Sequence, residues 1–291
     1  MSNTTNIENT NMAPSLFVKS EDGIQETKYV MHRRFDRMGR LVGDAMMEKL
    51  FNSHVMVIGL GGVGSWAAES IMRSGIGKMT VVDFDEVCIT NTNRQLPALQ
   101  GLVGKKKAVL IAERMRKINP QATVNEMVTF YNQENSEMIL SCKPDFIVDA
   151  IDNLTAKCHL LATCRQLGIP VVSSGGAAAR MNPLALKIAD LSETHTDPLL
   201  VQVRKILRQQ YNFPKDELFG IPTVFSTEEP QIPEELKYDN GEGFKCVCPQ
   251  GQNDLHSCDR RRVIYGTASF VTGAFGLAQA SHVIQTLTGK S

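Results

Sequence analysis

Three charged residues have the types and the spacing that transfer of a nucleotide requires. Arg94 and Lys107 are cations in predicted loops, and Asp152 follows a predicted buried strand. Attack at the α-phosphorus of ATP adds negative charge to a polyphosphate that is already anionic, so fixed cations and Mg²⁺ stabilise the transition state. Hydride transfer makes no such demand. Because ligands of open α/β sheets bind at the carboxyl ends of the strands, we expect both cations and a magnesium ligand, Asp152, at that edge.

A glycine-rich turn precedes these residues and has to position them. Residues 55–58 are a short β-branched run that predicts a buried strand, residues 59–64 read GLGGVG, and residues 65–74 have helical spacing. A second predicted strand, 79–82, ends at Asp83. The N–H groups of the helix N-terminus suit a phosphate, and Asp83 is placed to hold a ribose hydroxyl. The motif does not specify which nucleotide binds, so an NAD-dependent dehydrogenase remains an alternative function at this point.

Further strands and helices alternate along the chain and predict the fold class. The predicted helices are 104–117, 134–141 and 155–167, and the predicted strands are 122–128, 145–150 and 170–173. Such alternation is typical of a parallel sheet with helices on both faces. We therefore predict an α/β protein with a Rossmann-like, doubly wound, mainly parallel sheet, a loop-rich C-terminal extension and a buried C-terminal helix.

The sequence divides into three predicted regions. Residues 1–29 are polar and mixed in charge, which predicts a flexible tail. Residues 30–180 contain the predicted nucleotide-binding α/β domain. Residues 181–291 follow a different pattern, and we interpret them as a C-terminal substrate-facing and interface region.

The C-terminal region contains few regular elements in this prediction. A strand is expected at 184–189, and Asp197 and Pro198 are typical of the N-cap and first residue of a helix. Residues 212–262 hold five prolines and predict loops. Residues 263–288 carry no charge and are long enough to span a bilayer, but their many polar and small residues favour a helix buried in the protein or at a subunit interface.

Residues 31–51 predict an amphipathic helix with a basic start. The apolar face is expected to contain Leu41, Ala45, Met46 and Leu50, and the basic residues are Arg33, Arg34, Arg37 and Arg40. Arginines at a helix N-terminus oppose the helix dipole, so this cluster is a pointer to an anion.

Composition and charge limit the classes of protein that fit. Hydrophobic residues make up 42% and charged residues 21%, which is ordinary for a soluble globular protein. Residues 1–29 show neither a signal-peptide pattern nor the Arg-rich bias of a transit peptide, so we expect a cytoplasmic protein without a membrane anchor. Lys and Arg together number 31, as do Asp and Glu, so any RNA contact has to come from a local basic patch. The candidates are Arg204, Lys205, Arg208 and residues 260–262.

Seven cysteines in a long chain do not predict a disulfide framework. Cys246, Cys248, His256 and Cys258 are close enough in sequence for a zinc site, although the paired CxxC motifs of typical zinc sites are absent. An alternative interpretation is that Cys246 or Cys248 is reactive and accepts sulfur or a carrier.

Several spaced motifs together resemble the superfamily of ubiquitin-activating-type, ThiF-like adenylating enzymes. They are residues 59–65, 83–85 and 90–95, Lys107 and residues 152–153. Within that superfamily, the runs RFDRMGRLVG, SSGGAAARMNP and VFSTEEP resemble the subfamily that dehydrates threonylcarbamoyladenosine in tRNA. The resemblance extends from about residue 34 to about residue 287.

The resemblance implies a role for each matching residue. The residues implied to bind ATP are Gly59, Gly61, Gly62, Asp83, Asp85, Asn91, Arg94, Gln95, Lys107 and Asn153. Asp83 is expected to hold the ribose, and Asp152 to bind Mg²⁺. Arg94, Lys107 and Asp152 are expected to act in catalysis together with Arg37, which is implied to reach the ATP of the other subunit of a homodimer.

The resemblance also implies the reaction, which is ATP-dependent cyclisation of threonylcarbamoyladenosine in tRNA through adenylation of its carboxylate. Modified tRNA is then the substrate, and a sulfur-transfer system that includes a cysteine desulfurase is a possible partner. Two alternatives remain at this point. One is an adenylyltransferase that activates the C-terminal glycine of a sulfur-carrier protein, and the other is a nucleotide-binding module or dehydrogenase without adenylation.

Overall fold

The computed structural model describes residues 33–236 and 264–290, together with the backbone of two short strands. These two strands are β1 (Val18–Ser20) and β2 (Gly23–Gln25), which pair antiparallel. In the main part of the described chain the strands are β3 (His54–Ile58), β4 (Lys78–Val82), β5 (Thr123–Met127), β6 (Phe146–Asp149), β7 (Val171–Ser174), β8 (Leu186–Asp190) and β9 (Pro222–Ser226). The helices are α1 (Asp36–Val42), α2 (Asp44–Asn52), α3 (Gly64–Arg73), α4 (Lys107–Ile118), α5 (Ser136–Leu140), α6 (Leu154–Leu167), α7 (Pro198–Gln210) and α8 (Ser269–Thr288).

The seven main strands form one sheet in the order β5-β4-β3-β6-β7-β9-β8. Each neighbouring pair is parallel except β8 and β9, which run antiparallel at one edge. Alternate side chains of β3 enter different cores: Val55 and Val57 pack with α2, α3, α4 and α8, whereas Met56 and Ile58 pack with α5, α6 and α7. The predicted doubly wound α/β fold is therefore confirmed.

The N-terminal helix is broken where the sequence predicted one continuous element. Gly43 adopts a positive φ of 85°, so α1 ends before this residue and α2 begins after it as a separate helix. Val42, Met47 and Leu50 are the buried apolar residues, whereas Leu41 is 71% exposed. The predicted apolar face with Leu41 and Ala45 was wrong because helical periodicity does not continue through this glycine.

Strand β9 was missed, because residues 212–262 were predicted to be loops. Pro222 occupies the first position of the strand, where a missing N–H group does not interrupt the pairing. The four residues after it are buried, and β9 lies between β7 and β8. The C-terminal part of the chain thus extends the same sheet that carries the glycine turn.

The predicted buried C-terminal helix is confirmed as α8, which packs against α3. Contact is close because the helix presents small residues. A Cβ at Gly276 would lie 2.4 Å from the carbonyl oxygen of Val63, and one at Gly273 would touch the Trp66 ring at 3.5 Å. Among the helices of the described residues, none combines the length and the apolar character needed to cross a membrane.

Candidate active site

The glycine turn between β3 and α3 has the geometry expected of a phosphate-binding loop. Gly59 has a positive φ of 90°, and a Cβ there would lie 2.6 Å from the carbonyl oxygen of Ala150. A Cβ at Gly64 would lie only 1.8 Å from the carbonyl oxygen of Gly59. Only glycine fits these positions, so the chain turns sharply and points the N-terminus of α3 at the carboxyl edge of the sheet.

Asp83 holds this turn from the end of β4. Its Oδ2 accepts the N–H of Leu60 at 2.6 Å, and its Oδ1 accepts the N–H of Asp85 at 2.8 Å. Burial raises the pKa of the Asp83 carboxyl group, and the nearby charge of Lys107 opposes that effect. The carboxylate therefore shapes the turn directly, and its contact with a ribose stays a prediction.

Lys107 is the first residue of α4, whereas the predicted helix began at residue 104, and it is 5% exposed. Its Nζ donates to Oδ2 of Asp85 at 2.9 Å. Burial lowers the pKa of the amine, but the carboxylates of Asp83 and Asp85 outweigh that effect and raise it overall. The site thus contains a fixed, protonated cation beside the glycine turn, which is what an anionic polyphosphate requires.

The segment that ends in Arg94 packs on the same turn. The Trp66 indole N–H donates to the carbonyl oxygen of Arg94 at 3.1 Å, which fixes its backbone against α3. A Cβ at Gly62 would lie 3.3 Å from Cγ of Arg94, so the arginine stem lies over the turn. Asn91 is buried, and its Oδ1 accepts the N–H of Cys88 at 3.0 Å. Asn91 therefore shapes this segment.

Gln95 supplies an observation that favours a ligand at the turn. Its side chain is buried, and Oε1 has no hydrogen-bond partner among the described residues. Its Nε2 lies 3.8 Å from the position that a Cβ would occupy at Gly61. A buried acceptor without a partner is costly, and a donor group of a nucleotide in the turn would satisfy it.

The loop after β6 carries Asp152 and Asn153. Asp152 is exposed, and it lies near enough to Lys107 for its charge to contribute to the raised pKa of that lysine. Asn153 is the N-cap of α6, where its Oδ1 accepts the N–H of Ala156 at 3.0 Å. Within the described part of the chain no cluster of three acidic, His or Cys ligands is present. A single exposed carboxylate fits Mg²⁺ held mainly by phosphate oxygens.

A second charged cluster, which was not predicted from the sequence, is formed by Asp149, Lys157 and Ser173. Nζ of Lys157 lies 2.5 Å from Oδ2 of Asp149 and 3.2 Å from Oγ of Ser173, and that hydroxyl donates to the same carboxylate at 2.6 Å. The other oxygen, Oδ1, accepts the N–H of Ile151 at 3.1 Å. This sealed cluster, as we call these three residues, fixes the start of the loop that carries Asp152. Asp149, a charged residue at the end of the apolar strand β6, was its only sequence signal.

Other predicted residues lie apart from this edge or have structural partners. Arg37 is exposed on α1, and its reach to a second subunit stays a prediction. Arg204 donates to Oγ1 of Thr194 at 2.5 Å, and Arg208 donates to the carbonyl oxygens of Pro214 and Lys215 at 3.3 and 3.2 Å. Both arginines therefore fix loops, and an RNA contact there stays a prediction.

The candidate zinc ligands and a cavity found among the described residues do not bear on the carboxyl edge. The candidate ligands Cys246, Cys248, His256 and Cys258, and the basic residues 260–262, lie outside the described residues. An open cavity of about 460 Å³ lies at the opposite edge of the sheet, where Ser53 and Asp145 precede their strands. It contains none of the predicted site residues.

The fold and the site define a nucleotide-binding α/β protein, and the chain belongs to the ThiF family, whose model matches residues 35–291. The chain is similar to the tRNA threonylcarbamoyladenosine dehydratase of Haemophilus influenzae, with 40% identity over 260 residues, 89% of this chain and 94% of that protein. The enzyme of the same name from Bacillus subtilis is 37% identical over 88% of this chain and 95% of that protein.

A solved structure agrees with this likeness. The crystal structure of the Escherichia coli tRNA N6-threonylcarbamoyladenosine dehydratase in complex with ATP superposes with a TM-score of 0.75 and 34% identity. The match covers 88% of this chain and 94% of that chain. The resemblance that the motifs predicted is therefore confirmed at the level of the family and of nearly the whole fold.

Proposed function

We propose that this chain is an ATP-dependent dehydratase that cyclises threonylcarbamoyladenosine in tRNA. The observation that carries the proposal is the fixed cation Lys107 beside a glycine turn, on a fold that is shared over nearly its whole length with dehydratases of that name.

The first step that we propose is adenylation of the substrate. An oxygen of the threonyl carboxylate attacks the α-phosphorus of ATP, the bond to the bridging oxygen breaks, and pyrophosphate leaves. Lys107 and Arg94 stabilise the charge that develops on the phosphates, together with the N–H groups of the glycine turn. Mg²⁺ held by Asp152 and the phosphates would supply additional positive charge to the leaving pyrophosphate.

The second step closes the ring. A nitrogen of the substrate's own urea group attacks the acyl carbon, AMP leaves with one of the original carboxylate oxygens, and the nitrogen loses its proton. The reaction is intramolecular, so little translational entropy is lost on the way to the transition state. No nucleophile of the protein is required, which is consistent with buried thiols at Cys158 and Cys164, whose pKa values burial raises to about 11 and about 12.

The proposal is tested with purified protein, ATP, Mg²⁺ and tRNA that carries the modification. We expect pyrophosphate release that depends on the modified tRNA, and nucleoside mass spectrometry should show loss of one water from the modified base. Unmodified tRNA is the matched control. Release that depends on a sulfur-carrier protein instead would support the alternative adenylyltransferase, and binding of NAD in place of ATP would contradict both. Stimulation by a cysteine desulfurase would reveal the sulfur-transfer partner.

We also propose a homodimer in which Arg37 completes the ATP site of the other subunit. Arg37 is exposed on α1 and lies ahead of the first strand of the main sheet, and α8 exposes Phe270 and Leu277. The test mixes two inactive variants, R37A and R94A. If the site is shared, mixed dimers contain one intact site and activity returns in part. No recovery, with subunit exchange confirmed independently, means that Arg37 acts within its own chain or not at all.

A further inference from the structure

Arg180 is a buried guanidinium whose hydrogen-bonding capacity is mostly unused. The residue is 3% exposed, and its Nη2 donates to the carbonyl oxygen of Thr196 at 3.3 Å. Nε and Nη1 are buried and have no hydrogen-bond partner among the described residues. Unpaired buried donors destabilise a protein, and more so when they carry charge. Such donors therefore suit an acceptor that belongs to a ligand.

The fold fixes this guanidinium firmly in place. Ala179 precedes Arg180 in the chain, and Thr196 accepts its one hydrogen bond. Their φ values are 60° and 59°, a region that residues with a Cβ rarely adopt. The N–H of Ala179 donates to Gly266 at 2.8 Å, and Oγ1 of Thr196 donates to the carbonyl oxygen of Ser226 at 2.7 Å. These two hydrogen bonds hold the backbone at Ala179, which precedes Arg180, and at Thr196, which accepts its hydrogen bond.

Arg180 lies at the carboxyl edge of the sheet and is linked to the nucleotide site. The segment that precedes α8 joins the two, because Gly266 accepts the N–H of Ala179 and Thr267 accepts Nδ2 of Asn93 at 2.8 Å. The residue after Asn93 is the proposed phosphate-binding arginine. Arg180 therefore directly follows the residue at one end of this link, and Arg94 directly follows the residue at the other.

We propose that Arg180 binds the carboxylate of the threonylcarbamoyl group and presents it to the α-phosphate, an inference that rests on the proposed function. Two charged N–H donors without a partner suit an anionic oxygen group, and such charge-assisted bonds are strong. A carboxylate on a flexible substituent reaches a buried guanidinium, whereas the phosphates of an RNA backbone meet exposed cations. The nearby carboxylate of Glu228 does not pair with Nε or Nη1 of Arg180. It accepts the N–H groups of Met181 and Asn182 instead, at 3.0 and 2.8 Å.

Residues 227–231 control access to Arg180 in this proposal. The N–H of Gln231 donates to the carbonyl oxygen of Ala179 at 2.9 Å, so this segment lies against the residue that precedes the guanidinium. Glu228 holds the segment to the turn after Arg180. Entry of the substrate carboxylate requires this segment to shift. Nε and Nη1 of Arg180 then donate charge-assisted hydrogen bonds to that carboxylate.

The test compares R180M, R180K and the control R114M, whose guanidinium is bonded to Glu69 away from the edge. For each we would measure cyclisation kinetics, ATP binding, and binding of modified and unmodified tRNA. We expect R180M to lose roughly 10- to 100-fold in kcat/KM for modified tRNA. It should also lose its preference for modified over unmodified tRNA, with ATP binding unchanged. R180K should lose less, and R114M nothing.

Each other outcome overturns the inference in a recognisable way. Equal weakening with both tRNAs would mean a contact with RNA phosphates, and weaker ATP binding would mean a contact with the nucleotide. Unchanged kinetics and binding in R180M would mean that Arg180 has a structural role only. If R180M does not fold, R180K decides, because unchanged kinetics and tRNA preference there would also contradict the proposal. Failure of the wild-type protein to cyclise modified tRNA would instead contradict the proposed function itself.

Discussion

Two lysine–aspartate pairs lie at the same edge of the sheet, and they differ in what surrounds them. Lys107 contacts Asp85 at 2.9 Å, and 23% of the Asp85 side chain is exposed beside the glycine turn. Lys157 contacts Asp149 at 2.5 Å, and both side chains are completely buried. The first pair thus has one side open to a ligand, whereas in the second every polar neighbour is part of the protein.

The difference shows how one chemical pair performs two tasks. A buried ion pair is expensive to form, and removal of one partner leaves an unpaired charge in the interior. The sealed cluster therefore acts on the fold, through the Asp149 carboxylate that shapes the loop of Asp152. In the proposed function the pair at Lys107 acts on the ligand, because phosphate oxygens would compete with Asp85 for a cation that is already in place. The same substitution at the two lysines should separate these roles.

The largest effect is expected from Lys157→Met. Asp149 would then lack its cation, and we expect the free energy of unfolding to fall by about 3–5 kcal/mol. Urea denaturation of wild type and variant measures this difference. As a control, the double variant with Asp149→Asn removes the unpaired charge and should recover part of the loss. A fall that is no larger than that of a surface substitution would contradict the role of the sealed cluster.

Lys107→Met should affect catalysis more than stability. Loss of one preorganised charge contact raises the barrier by about 2.7–4 kcal/mol, which is roughly 10²- to 10³-fold in rate. Pyrophosphate release at saturating ATP and modified tRNA measures it. Unfolding should change far less than in Lys157→Met, because Asp85 reaches solvent. The comparison fails if the two variants lose activity and stability in the same proportion.

The sequence was sufficient for the elements whose signal is local. Apolar runs such as residues 55–58 predict buried strands, and the glycines of the turn are required by contacts with Ala150 and Gly59 that a Cβ would prevent. Lys107 was predicted as a site residue from its position in the chain, but its burial and its partner Asp85 depend on how α4 begins. The sealed cluster could not be predicted, because Asp149 and Ser173 lie on different strands. Their contact depends on the register of β6 and β7, which the sequence does not state.

The pH dependence of stability should distinguish wild type from Lys107→Met. Burial lowers the pKa of Lys107, but Asp83 and Asp85 raise it overall. A lysine whose pKa is raised on folding contributes its full stabilisation of the folded protein below its unfolded pKa, about 10.4. That contribution is lost as the pH rises through the folded-state pKa. The difference in unfolding free energy between the two proteins should therefore stay constant near neutral pH and shrink above about pH 10.4. A difference that shrinks between neutral pH and about pH 9 would contradict the raised pKa.

The smallest effect is expected from Arg40→Ala, which removes an ion pair of a third kind. Arg40 contacts Asp36 at 2.9 Å, but 74% of its side chain is exposed. Solvent and salt screen such a pair, so neither unfolding nor activity should change measurably. Denaturation at low and high salt provides the check. A loss comparable with that of Lys107→Met would mean that burial is not what separates the pairs.

The most direct test of the account follows the oxygen atoms of the substrate. Modified tRNA is prepared with a heavy oxygen isotope in the threonyl carboxylate and incubated with the protein and ATP. Because the carboxylate attacks the α-phosphorus and AMP then leaves, one labelled oxygen should appear in AMP for each ring that closes. AMP without label, or formation of ADP and labelled phosphate, would contradict adenylation at this site.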